Sequence, residues 1–101
     1  MKRVLVLAIL AVLSAAPAAS ATEYYSYRCS NSTVLRVIYN DEAGTATVVP
    51  YARPSIRLQR AEANSDGFRY TRRGTHELRG SLNEVTWRIG RAEWTCRNSG
   101  G

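Results

Sequence analysis

The sequence is poor in the residues that most enzyme chemistry needs. It holds two cysteines, Cys29 and Cys96, and one histidine, His76. With no Cys-x-x-Cys pair and a single imidazole, the residues supply neither a zinc site nor a dithiol redox centre. His76 has no signature serine or cysteine near it, and the acids are scattered without a recurring pair, so a nucleophile with its base and orienting partner is missing. No glycine motif that cradles a pyrophosphate occurs either. The chain therefore reads as a non-enzyme, with no cofactor and no metal.

Long apolar runs are also lacking, except at the start. Lys2 and Arg3 precede the apolar stretch Val4 to Leu13, which is too short to span a bilayer, and Ala19-Ser20-Ala21 is a small-residue cleavage site. Residues 1–21 thus read as a secretory signal and 22–101 as the mature domain. No cysteine stands at the cleavage point, so no lipid anchor is expected there. The expected location is the periplasm or the medium.

A mature chain of this length sits near the size at which a hydrophobic core alone is marginal, so a covalent staple is expected. An exported chain meets an oxidising compartment, and Cys29 with Cys96 is the only available pair. Their bond would close nearly the whole domain.

Lysine disappears with the signal. The 14 basic side chains less Lys2 and Arg3 leave twelve, every one an arginine, against 8 acids, a net +4. Such an excess suits an acidic partner, and a second reading is a binding module in which Arg69, Arg72, Arg73 and Arg79 grip an anionic glycan or other polyanion. A third is a purely structural envelope protein. The arginines are spread over many segments rather than forming one run, which fits a solvated β surface and gives no expectation of a nucleic-acid partner.

Helical periodicity is absent from the mature chain, and alternation takes its place. Tyr25, Tyr27 and Cys29 share one face of a first strand, and Leu35, Val37 and Tyr39 one face of a second. Ala46 and Val48 continue inward on a third, which ends in a loop flanked by Pro50 and Pro54. A fourth runs from Ser55 to Glu62, a fifth from Phe68 to Thr71, and a sixth from Thr75 to Arg79. Val85, Trp87 and Ile89 mark a seventh, and Ala92, Trp94 and Cys96 the last. Asn64, Ser65, Asp66 and Gly67 are turn formers and predict a protruding loop. About eight short antiparallel strands whose ends are joined by a disulfide predict an all-β fold, a small barrel filled by its own side chains, with an open two-sheet sandwich as the alternative.

Tyr27-Arg28-Cys29, Leu35 to Tyr39, the loop Ser65-Asp66-Gly67-Phe68-Arg69-Tyr70, Arg79-Gly80 and Trp94-Thr95-Cys96 follow one another in an order that resembles the membrane-bound or periplasmic inhibitors of C-type lysozyme. The resemblance spans roughly residues 25 to 97. It implies that the polar loop and the neighbouring basic-Gly turn enter the cleft of a C-type lysozyme and meet its catalytic carboxylates, which bind a cation and a hydroxyl donor well. The residues so implicated are Ser65, Asp66, Gly67, Arg69, Tyr70, Arg79 and Gly80. Asp66 stands where the family commonly has serine, with Ser65 one position earlier. Arg79 takes the place of a lysine, and no tryptophan precedes it. The partner implied is the lysozyme itself, with the inhibitor a monomer or weak homodimer.

Overall fold

The computed structural model describes residues 22–99. The proposed signal, residues 1–21, lies outside the described residues. Eight strands follow in order: β1 (Thr22–Cys29), β2 (Val34–Asn40), β3 (Thr45–Val49), β4 (Ile56–Asn64), β5 (Gly67–Arg72), β6 (His76–Gly80), β7 (Glu84–Ile89) and β8 (Ala92–Asn98). Each pairs antiparallel with the next, and β8 returns to β1, so the sheet closes into an up-and-down barrel. Closure removes every free edge. Among the described residues, Thr22 to Ser99 carry all eight strands of the closed barrel, its buried core and the disulfide.

Alternation decides which side chains fill the barrel. Tyr27, Val37, Val48, Leu58 and Leu78 are wholly buried, each flanked along its strand by outward neighbours. No polar or charged residue is buried beside them among the described residues, apart from tyrosine hydroxyls. The Tyr27 and Tyr39 hydroxyls lie 2.8 Å apart and satisfy one another. Burial pushes the Tyr27 phenol up to about 12, and burial with the Tyr27 hydrogen bond pushes Tyr39 higher still. Tyr25, Tyr39, Phe68 and Tyr70 pack ring against ring at 5.3–5.9 Å.

Cys29 and Cys96 face each other across the β1–β8 seam and are bonded. That seam is short, with three residue pairs against seven between β1 and β2. The covalent bond sits where the barrel has least hydrogen-bonded length to hold it shut. A disulfide of this kind fits an oxidising compartment outside the cytoplasm.

The alternating strand directions sort the connections into two ends. One end carries the β2–β3, β4–β5 and β6–β7 turns, and the other the β1–β2, β3–β4, β5–β6 and β7–β8 connections. Six of the eight acids, Glu23, Asp41, Glu42, Glu62, Asp66 and Glu84, fall at the first end, called here the acidic end.

Candidate functional site

The expected loop at Asn64 to Gly67 is tighter than its composition suggests. β4 continues to Asn64 and β5 begins at Gly67, so only Ser65 and Asp66 connect them. Asn64 makes this possible: its Oδ1 accepts the N–H groups of Asp66 at 2.8 Å and Gly67 at 3.2 Å. Arg60 to Asp66 are all exposed, and the register shifts between Arg60 and Glu62. The protrusion is therefore a hairpin bent by a bulge, stiffer than a loop.

Gly67 and Gly80 bring this hairpin against the end of β6. Phe68 pairs with Gly80, and a Cβ on Gly67 would be driven into the Gly80 carbonyl oxygen. A Cβ on Gly80 would in turn meet the Glu84 carbonyl oxygen. Gly67 at φ +155° and Gly80 at φ +135° adopt conformations that side chains resist. The two glycines make a seam where backbone lies directly on backbone.

Beside this seam is an open depression of about 520 Å³, lined by Glu62, Asp66, Gly67, Arg69, Arg79 and Gly80 among others. Five of the seven residues implicated by the sequence are thus brought together from two hairpins. Ser65 is exposed at the tip and is not part of the depression's wall. Tyr70 points inward with 3% exposure and belongs to the core. Arg72 and Arg73 lie at the far end of β5, so they do not join Arg69 and Arg79 in one grip.

The outer face behind the depression holds an ion-pair network that strand register creates. Glu77, on the same face of β6 as Arg79, sits at its centre. Its Oε1 accepts from Arg79 at 3.0 Å and Arg88 at 3.2 Å, while its Oε2 lies 3.6 Å from Arg69. Arg79 also reaches Glu93 at 3.4 Å, and Arg69 reaches Glu62 at 3.6 Å. Burial pushes the Glu77 carboxyl up, but the Arg88 hydrogen bond and the charges of Arg79 and Arg88 outweigh it and hold the group below its ordinary value. The half-exposed cations Arg69 and Arg79 are thus parked on carboxylates of their own sheet, and their pairs with the more exposed Glu62 and Glu93 are weak enough to exchange.

The chain matches no protein-family model, no curated protein and no solved structure. The site is therefore read from its own chemistry. Sequence reading missed Glu62, Glu84 and Thr86 in the wall and Glu77 behind it. The spacing of Glu77 and Arg79, two apart on one strand face, was the available signal.

Replacing Glu77 with glutamine tests the network. The variant is expected to lose about 1–2 kcal/mol at pH 7, since one oxygen remains to accept but the charge is gone. Because the folded pKa is depressed, the contribution is present above the ordinary value of 4.5 and fades as pH falls through the folded value. The difference between wild type and variant in urea unfolding should therefore shrink on acidification. A difference that grows in acid would contradict the assigned sign.

Proposed function

We propose that the protein is an exported inhibitor of C-type lysozyme that covers the catalytic cleft with the β4–β5 hairpin tip and the adjacent end of β6. The observation that carries this reading is the convergence of Asp66, Gly67, Arg69, Arg79 and Gly80 on one depression. These are five of the seven residues that the sequence resemblance implicates; Ser65 lies outside the depression's wall and Tyr70 in the core. Ser65 at the tip offers a hydroxyl, and Arg79 offers a guanidinium that leaves Glu77 and Glu93 for an enzyme carboxylate. The exchange swaps one carboxylate for another, so Arg79 contributes orientation more than raw affinity.

Charge placement removes an objection to this reading. C-type lysozymes are usually basic, and a net +4 inhibitor gains no steering from its total charge. The acids, however, are concentrated at the end that bears the depression, so the surface presented to a basic enzyme is the complementary one.

The test is lysis of peptidoglycan by a C-type lysozyme in the presence of residues 22–101. Inhibition is expected, with Ser65→Ala and Arg79→Ala each weakening it about tenfold. Unchanged lysis at large molar excess rejects the reading. Full potency in both variants would mean that the contacts lie elsewhere on the barrel.

A further inference from the structure

The cations that the candidate site leaves unused gather at the opposite end of the barrel. Arg28 and Arg57 stand one residue inside the ends of β1 and β4, and Arg72 closes β5. Arg53, Arg73 and Arg91 occupy the β3–β4, β5–β6 and β7–β8 connections. All six are exposed, and among the described residues none is in an ion pair. The two acids near this end, Glu77 and Glu93, are taken up by Arg69, Arg79 and Arg88. A field of one sign is left uncompensated.

Two further features lie within this ring of charge. The barrel mouth holds an apolar cavity of about 310 Å³, walled by Leu35, Trp87, Ile89 and Trp94, with Tyr51 and Arg53 among its lining. Tyr51 is 69% exposed, a large aromatic left in water. Arg73 sits at φ +53°, in a turn whose Thr75 N–H bonds the Arg72 carbonyl and whose other central residue, Gly74, is at φ +71°. Turns with both central residues at positive φ favour Asn-Gly, and a long side chain there costs about 1 kcal/mol. Among the described residues, the Arg73 side chain makes no hydrogen bond or ion pair to offset that cost.

We propose that this end docks on an anionic lipid bilayer, its arginines meeting headgroup phosphates while Tyr51 enters the interface. The arrangement favours a surface over a polymer. The arginines come from connections and strand ends spaced around the barrel, so a linear polyanion would touch one arc of the ring. A planar anionic surface meets all of it, and an exposed tyrosine beside an apolar mouth suits the headgroup level. Docked end-on, the barrel holds its acidic end away from the membrane. The inference stands on the basic end alone and is independent of lysozyme inhibition.

The experiment is cosedimentation of residues 22–101 with vesicles of equal parts phosphatidylglycerol and phosphatidylcholine, against vesicles of phosphatidylcholine alone. Binding to the anionic vesicles only is expected at about 0.1 M salt, with release at about 1 M. The triple variant Arg53→Ser, Arg73→Ser, Arg91→Ser should lose about a hundredfold in partition, because each arginine near such a surface is worth roughly fivefold. The paired variant Arg60→Ser, Arg97→Ser, taken from cations nearer the acidic end, should bind as wild type does. Equal binding to neutral vesicles, persistence at high salt, or equal losses in the two variants would overturn the proposal. So would complete displacement from the vesicles by heparin at equal charge concentration, which would identify a soluble polyanion as the better partner.

Discussion

Removing the disulfide by Cys29→Ala with Cys96→Ala is expected to lower the unfolding free energy by about 4 kcal/mol and the Tm by roughly 20 °C. The two sulfurs are 67 residues apart in sequence, so the bond closes nearly the whole described chain and removes a large share of the unfolded state's freedom. Its position adds to the effect. The β1–β8 seam has three residue pairs, Tyr27 with Asn98, Arg28 with Arg97, and Cys29 with Cys96, and the last of these would lose its covalent tie. The remaining support there includes Ser30 N–H to the Thr95 carbonyl at 2.8 Å, Ser99 N–H to the Ser26 carbonyl at 2.9 Å and the Ser99 hydroxyl to that same carbonyl at 3.1 Å. Alanine is the suitable replacement, because Cys96 is wholly buried and a serine hydroxyl would add a separate desolvation cost. Urea unfolding of the two forms checks the figure. A loss below about 1 kcal/mol would mean that the reduced chain is already compact or that the seam holds without its sulfur bridge.

Gly80→Ala is the second large effect, at about 2–4 kcal/mol. The new methyl would be driven into the Glu84 carbonyl oxygen and would come to 3.0 Å from the Val85 Cα, with φ held at +135°. That same carbonyl accepts the Ser81 N–H at 2.9 Å, so relief of the clash would open the β6–β7 turn. Gly67→Ala would strike the Gly80 carbonyl and act on the same seam. Because the seam shapes the depression, both variants should weaken the proposed lysozyme inhibition more than their loss of stability accounts for. Gly74→Ala is the control. Its Cβ would meet nothing within 4 Å, leaving only the cost of φ +71°, about 1 kcal/mol. Equal destabilisation by Gly74→Ala and Gly80→Ala would show that conformation, not close approach, governs these positions.

The barrel was legible because it depends on a local signal. The period-2 pattern at Tyr25, Tyr27 and Cys29 and at Val85, Trp87 and Ile89 gives each strand its inward face, and the two cysteines mark which strands meet. Strand ends followed less closely. β4 was expected to stop at Glu62 and runs to Asn64, because a side-chain acceptor at Asn64 tightens the turn. Only the Glu77–Arg79 pair left a signal in the spacing; the cross-strand part of the Glu77 network and the contact of Gly67 with Gly80 were not legible, since both arise from the register between strands that sequence spacing does not specify. The same holds for the separation of acids from unpaired arginines. It depends on the exact strand ends and on the up-and-down closure of the barrel, which together send Asp41 and Asp66 to one end and Arg53 and Arg73 to the other.

The most direct measurement is the rate of peptidoglycan lysis by a C-type lysozyme at several substrate concentrations, with and without residues 22–101. Occupation of the cleft by the hairpin tip predicts a rising apparent KM at constant kcat, weakened by Ser65→Ala and Arg79→Ala. A rate that stays the same at every substrate concentration, with the protein in large excess, would contradict it.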